Sequence, residues 1–406
     1  MERARLVGHL VRWVALAAAS GALAGVASYA FLESLDGATE LRLERPWLLY
    51  LLPAAGAVVG LVYHRWAGRA AAGNELLLEE IHEPTAWVPR RMAPLVFAGS
   101  VVSHVFGASV GREGAALQMS GSLTDLMARR LRLAHHDRRV LLIAAIAGGF
   151  GAMFGVPLAG AVFALEVQAI GRVRYEALVP ALTASIVGDL VVGGLGRDHA
   201  EMPVVTLPVD AAVLAKVAVA GLAFGLVSSA FSSLVHGIKR LSTRVIAHPA
   251  LRPVVGGAAT VGLAALVGRD YLGLSLPLVD DALAGIAPAG GVFALKLVFT
   301  AIALGFGFPG GEVTPLFVIG ATLGGALAVP LGLDVQALSA VGFVAVFAGA
   351  ANTPLACTIM GAELFGSGSV VAVAVGCVAA YVFSSHRGIY PAQRLDTPKR
   401  PGRRTE

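Results

Sequence analysis

The sequence predicts an all-α polytopic membrane protein built from two repeated halves, with many broken and re-entrant helices. Three observations lead there. The 406 residues are 56% hydrophobic and 14% charged, with a mean hydropathy of +0.76, whereas an ordinary soluble domain is about 25% charged. An ordered set of residues occurs twice, roughly one half-chain apart. Several apolar runs are too short, or too interrupted by Gly and Pro, to cross about 30 Å of hydrocarbon alone.

Taken in order, residues 1–10 are a basic, cytoplasmic lead. The first half, 11–205, opens with spans at 11–32 and 48–66. Its start is signal-like, with Arg residues before Val14 to Ala30. So many spans follow that it reads as a retained first helix. The stretch 67–90 is polar. Apolar runs resume at 91–106, 113–128, 138–152, 155–170 and 177–195. A polar connection, 196–209, leads into the second half, 206–390. Its runs fall at 210–238, 252–268, 290–307, 313–331, 335–350, 353–366 and 369–384. The basic tail, 391–406, is Pro- and Arg-rich and is predicted disordered. The runs 111–130, 153–170, 309–330 and 352–366 are the broken ones. Broken helices at membrane depth line a site or cavity.

Charge adds orientation. The net charge is +5, and Arg3, Arg5, Arg12, Lys399, Arg400, Arg403 and Arg404 crowd the two ends. The positive-inside rule places both termini in the cytoplasm, against anionic lipid. No basic face with interleaved aromatics suggests nucleic acid, and no Gly-rich phosphate loop suggests ATP-driven transport. Cys357 and Cys377 lie in apolar runs and read as small hydrophobes, not a disulfide. No metal or other cofactor is expected.

The repeat is specific. Pro157-Leu158-Ala159 precedes Glu166 as Pro354-Leu355-Ala356 precedes Glu363, both pairs 197 residues apart. Upstream, Gly111-Arg112-Glu113 aligns with Gly310-Gly311-Glu312 at an offset of 199. Three matches in order indicate duplication, and two halves around a shared midplane site is a transporter plan.

The Gly-x-Glu stretches carry the chemistry. A helix N-terminus has free N–H groups and about half a positive charge, so it binds anions. Two such termini facing each other form an anion site from backbone alone. Glu113 is then both a carboxylate able to fill the site its own helix creates and a proton carrier. Ionised, it competes with the anion; protonated, it yields its place. The bland alternative is a first-turn Glu on a helix dipole, worth about 0.3–1 kcal/mol. Burial in an apolar chain favours function.

These motifs resemble the CLC family of chloride channels and proton-coupled anion antiporters. GREG (111–114), GFPGGEVTPLF (307–317, in place of that family's Gly-x-Phe-x-Pro motif) and FGVPLAGAVFALE (154–166) match in order, and the likeness runs from about 15 to 395. The resemblance implies a CLC-type inverted-repeat fold, a homodimer with one pathway per subunit, and Glu113 as the gating glutamate. It also implies Tyr390 of GIYPAQ as the family's central tyrosine. The departures point further. Gly73-Asn74 stands where chloride-type members carry a Gly-Ser-Gly loop, so Asn74 replaces the anion-coordinating serine. Glu312, Val313 and Thr314 replace apolar residues. Val167 stands where chloride antiporters have an inner proton-transfer Glu. Together these resemble the bacterial fluoride/proton antiporter branch. The resemblance thus implies fluoride and protons as substrates and a bacterial cytoplasmic (inner) membrane as location. A chloride/proton exchanger or a passive anion channel is the alternative. The expected anion site is Gly73, Asn74, Gly111, Arg112, Gly114, Ala115, Val313, Thr314 and Tyr390. Glu312 is either a second proton carrier or a helix cap.

Other polar groups read as structural. Glu166 and Glu363 should hold buried backbone or hydroxyl groups. Lys296 must find a carboxylate, a carbonyl or a water cavity. Arg112 should tie down a carboxylate or helix end. The cluster Glu79, Glu80, His82 and Glu83 reads as a solvated face. The run from Arg129 to Arg139 reads as a cytoplasmic loop. Gly107 to Gly111 fits Gly-x-Ser-x-Gly, so an intramembrane serine protease using Ser109 and a His such as His104 is the enzymatic alternative. The strand this motif needs before it is absent from the sequence pattern, and the chain is expected not to be an enzyme.

Overall fold

The computed structural model describes residues 2–399, with side chains from Leu6 onward. The first half carries α1 (Glu2–Glu44), α2 (Leu52–Val62), α3 (Asn74–His82), α4 (Met92–Val105), α5 (Glu113–Arg130), α6 (His135–Phe154), α7 (Pro157–Glu166) and α8 (Leu178–Gly194). The second carries α9 (Ala211–Val245), α10 (Arg252–Val267), α11 (Leu276–Leu283), α12 (Val292–Gly305), α13 (Val313–Leu331), α14 (Val335–Ala351), α15 (Pro354–Phe365) and α16 (Val370–Phe383). The two sets match in order, and their packing repeats. Helix α1 lies on α8 as α9 lies on α16, and α6 on α8 as α14 on α16. The fold is an all-α inverted repeat with short, broken helices at its centre.

Among the described residues, six helical stretches are long and apolar enough to cross a membrane. One is Val313–Leu331, which the sequence predicts to be too interrupted. Its two prolines do little harm. Pro315 sits in the first turn, where a missing N–H costs nothing, and Pro330, next to last, gives up a single bond, that to the Ala326 carbonyl. By contrast α7 has 10 residues and α15 has 12, so each reaches little more than halfway across.

The offsets of the repeat have a structural cause. Helix α6 has 20 residues and α14 has 17. Deleting nearly one turn moves the register from 200 at the helix starts, His135 and Val335, to 197 at the Pro-Leu-Ala motifs. Both helices stop on a left-handed residue, Gly155 with φ 68° and Asn352 with φ 59°, the two residue types that accept this conformation most readily. Each Pro then starts the next helix at a position where its ring fits.

Packing is tightest where glycines face. A Cβ on Gly320 of α13 would lie 2.1 Å from the Gly342 carbonyl oxygen of α14, and one on Gly342 would lie 2.2 Å from that of Gly320. Only glycine allows this approach. Around it Phe317 stacks on Phe343 at 4.1 Å and Phe150 on Phe163 at 4.3 Å.

Two expectations need correction. The cluster at 79–83 is not simply a solvated face, because Glu80 is buried. Arg138, also buried, donates to Glu80 at 3.1 Å and to Asp125 at 2.6 Å. Buried charges must be paired, and this trio joins α3, α5 and α6. His82 is buried too, 2.9 Å from the Gln168 carbonyl. The tail is the second correction. Residues 394–395 form a two-residue strand, β2, parallel to β1 (Ala169–Ile170). Arg394 N–H donates to Gln168 C=O, and Asp396 and Thr397 N–H to Ile170 C=O, each at 3.1 Å. The carbonyls that hold it come from a distant turn, which composition cannot register. Residues 400–406 lie outside the described residues, as do Met1 and the side chains of Arg3 and Arg5.

Candidate functional site

The site forms where the two halves touch. Gly111 and Gly311 exchange backbone hydrogen bonds, each N–H donating to the other's carbonyl at 2.7 Å. This reciprocal pair sets the starts of α5 and α13 nose to nose. It also corrects the repeat by one residue. Gly111 pairs with Gly311, Arg112 and Glu312 are the two N-cap residues, and Glu113 corresponds to Val313. Glu312 is therefore not the symmetry mate of the gate.

Glu113 is fully buried. Its Oε2 accepts from Thr314 N–H at 3.0 Å and from Arg112 N–H at 3.2 Å. Its Oε1 accepts from the Thr314 hydroxyl. Arg112 Nε lies 3.6 Å from Oε1, so Arg112 does tie down a carboxylate, that of its neighbour. The carboxylate thus fills the helix start of the opposite half rather than that of its own helix. Backbone amides, a hydroxyl and a guanidinium converge on it, and all of them favour an anion.

Glycine is required beside it. A Cβ on Gly114 would stand 2.9 Å from Gly311 Cα and 3.1 Å from Asn74 Nδ2. Gly114 thereby lets α3, α5 and the segment before α13 meet. Gly73, with φ 59°, turns the chain so that Asn74 opens α3. Ala115 and Val313 are buried in the first turns of α5 and α13. Asn74 and Tyr390 line an internal cavity of about 10 Å³ with Leu117, Phe163 and Val167, about the room one water needs. Asn74 Oδ1 and Tyr390 Oη are buried and unpartnered among the described residues. The structure thus gathers Gly73, Asn74, Gly111, Arg112, Glu113, Gly114 and Thr314 at one junction. Tyr390 joins them through the cavity it shares with Asn74.

Glu312 stands apart. It is the N-cap of α13 but makes no side-chain cap bond, so the capping alternative does not hold. Lys239 and Glu75 act on its carboxyl through their charges, and they lie 3.8 Å from each other. Sequence reasoning missed both, because α9 and α3 are far apart in the chain. A wide cavity of about 1060 Å³ leads from this side to Tyr390, lined by His236, Lys239, Arg240 and Arg387.

The remaining polar groups are structural. Glu166 accepts from the N–H groups of Leu355 and Ala356 at 3.1 and 2.8 Å. Glu363 accepts from those of Leu158 and Ala159 at 2.9 and 2.7 Å. Each half caps the other half's Pro-Leu-Ala helix. Lys296 is buried and donates to the carbonyls of Tyr271 and Gly273 and to the hydroxyls of Ser109 and Ser275. Ser109 is buried against Thr300 and Lys296. His104 instead bonds the Ser100 carbonyl, one turn back in α4. The Ser–His pairing of a protease does not form.

The comparisons agree with this geometry. Residues 55–385 match the family described as voltage gated chloride channel. The chain is 46% identical to a "Chloride/fluoride channel protein" of Pseudomonas syringae pv. tomato, over 98% of this chain and 90% of that protein. It is 29% identical to the "H(+)/Cl(-) exchange transporter ClcA" of Cronobacter sakazakii, over 77% and 71%. A crystal structure of a CLC-type fluoride/proton antiporter superposes with a TM-score of 0.92 at 31% identity, covering 95% of this chain and 98% of that one. The chain is a polytopic membrane protein of the voltage gated chloride channel family, CLC.

Proposed function

We propose that the protein is a secondary-active antiporter that exports fluoride from the bacterial cytoplasm against an inward flow of protons. The observation that carries this reading is the buried Glu113 carboxylate on the Thr314 amide and hydroxyl. A carboxylate accepting these bonds is a stand-in for an anion. Protonation removes its charge and weakens those bonds. The anion then takes the same donors, and the proton leaves by the opposite route. One site used alternately by a carboxylate and an anion couples the two flows.

Several features favour fluoride. It is small and strongly hydrated, so it needs strong donors at close range. Thr314 N–H and O–H, Asn74 Nδ2–H and Tyr390 O–H are such donors. The cavity between Asn74 and Tyr390 suits a water-sized guest. Val167 removes the inner carboxylate of chloride antiporters, and Glu312, which feels the charges of Lys239 and Glu75, takes over as the inner proton carrier. In this reading the halves 11–205 and 206–390 share the midplane site. The working unit is a homodimer in the inner membrane with both termini cytoplasmic.

Purified protein in proteoliposomes tests this directly. Fluoride and chloride electrodes, with a pH electrode, follow efflux. Fluoride should leave much faster than chloride, with proton uptake in fixed ratio, and an imposed pH gradient should drive fluoride uphill. Equal chloride efflux would remove the fluoride assignment. Fluoride efflux without proton movement would make the protein a channel.

A further inference from the structure

The face formed by α1, α4 and α5 carries a groove that transport does not use, with a volume of about 1200 Å³. Its floor is made by small side chains, Ala22 and Ala30 of α1 and Ala93 and Ala98 of α4, and its walls include Phe97 and Leu123. Alanines spaced along α1 and α4 leave a trough where larger residues would leave a ridge. Every lining side chain is apolar except one. The exception is Arg130, the last residue of α5, at the groove's end.

Arg130 has company there. The segment before α4 is tied to α5 by Val88 N–H on Asp125 at 2.6 Å and by the Ser122 hydroxyl on the Pro89 carbonyl at 3.0 Å. Arg90 follows directly, three residues before Ala93. Arg129 lies over the Trp87 ring at 6.0 Å. Arg90, Arg129 and Arg130 are exposed, and none forms an ion pair among the described residues. An apolar trough that ends on the Arg130 guanidinium, with Arg129 beside it in the chain and Arg90 on the segment tied to α5, has the polarity of one class of ligand.

We propose that this groove binds one anionic glycerophospholipid, with an acyl chain along the alanine floor and the phosphate on the Arg90, Arg129 and Arg130 guanidiniums. Guanidinium pairs with phosphate in forked hydrogen bonds. A zwitterionic lipid would bring a phosphate already neutralised by its own ammonium, and a second copy of the chain would fill the trough without a phosphate. The site lies against the helix that begins at Glu113, so its occupant touches the element that carries the buried carboxylate.

Native mass spectrometry of the detergent-purified full chain, titrated with phosphatidylglycerol or phosphatidylcholine, tests the proposal. One phosphatidylglycerol should bind in clear preference to phosphatidylcholine. Each guanidinium is worth about five-fold in affinity for an anionic lipid, so Arg90→Gln/Arg129→Gln/Arg130→Gln should bind ~100-fold more weakly. Ala98→Phe fills the exposed trough while keeping all three arginines, and it should also lose the lipid. Equal binding of the two lipids, undiminished binding by the triple variant, or undiminished binding by Ala98→Phe would each overturn the proposal. So would a larger assembly in the absence of lipid that Ala98→Phe dissolves, because the occupant would then be a second copy.

Discussion

Two side chains decide the chemistry at the residue scale. In the proposed function Glu113 supplies the exchangeable charge, and Thr314 places its hydroxyl and amide on that carboxylate. Glu113→Gln keeps the volume but holds the site permanently neutral, so fluoride movement should lose its proton partner. Efflux traces with a pH electrode check this, and normal coupling in that variant would end the gate reading. Thr314→Val keeps shape and amide but deletes the hydroxyl. A hydrogen bond to a charged group is worth about 1.5–3 kcal/mol, so fluoride affinity should fall roughly 10- to 100-fold by calorimetry. Glu113, Thr314, Asn74 and Tyr390 were legible in the sequence because each sits in or beside a short motif. The partner of Glu113 was harder to foresee. A helix-start carboxylate is expected to serve its own helix, and only the Gly111–Gly311 exchange makes the other half's first turn nearer.

Symmetry acts through elements rather than residues. Helices α7 and α15 are too short to cross the membrane, so their N-terminal N–H groups lie at a depth where water does not satisfy them. Glu363 caps α7 and Glu166 caps α15. Each carboxylate replaces two lost bonds, and deleting either leaves two unsatisfied donors. Glu166→Ala should therefore lower stability by about 2–4 kcal/mol, read as earlier thermal loss of the monodisperse peak in detergent. Glu166→Gln, which retains one acceptor, should lose less. If alanine and glutamine behave alike, the capping argument fails. The duplicated Pro-Leu-Ala-to-Glu pattern was visible in the sequence, but its crossed pairing was not, since spacing within a half says nothing about contacts between halves. The same limit hid the buried trio of Glu80, Asp125 and Arg138, of which Glu80 and Arg138 read locally as surface charge. Arg138→Met should cost about 3–5 kcal/mol, because it removes the guanidinium paired with buried Asp125 and one of the two paired with Glu80, which keeps Arg69 at 2.6 Å.

Across the whole molecule, charge is distributed unevenly along the pathway. The wide cavity that ends at Tyr390 is ringed by Lys239, Arg240, Arg387 and His236, while the narrow cavity beyond it is lined mainly by apolar side chains. A basic cavity with low-dielectric walls concentrates anions and raises their rate of entry. Under the proposed function these fixed charges act on loading from one side, before any anion reaches Asn74 or Thr314. Neutralising Arg240 and Arg387 together as glutamines leaves the Lys239–Glu75 contact in place and should slow fluoride entry from that side by roughly 10-fold at low ionic strength. The difference should shrink at about 1 M salt, where the Debye length is near 3 Å. Entry from the opposite side should stay unchanged, because those charges lie beyond the buried Glu113. Stopped-flow uptake into vesicles of known protein orientation separates the cases. A slowing equal from both sides, or one that persists at high salt, would mean that the arginines act by holding the fold, and the field of the cavity would have no part in loading.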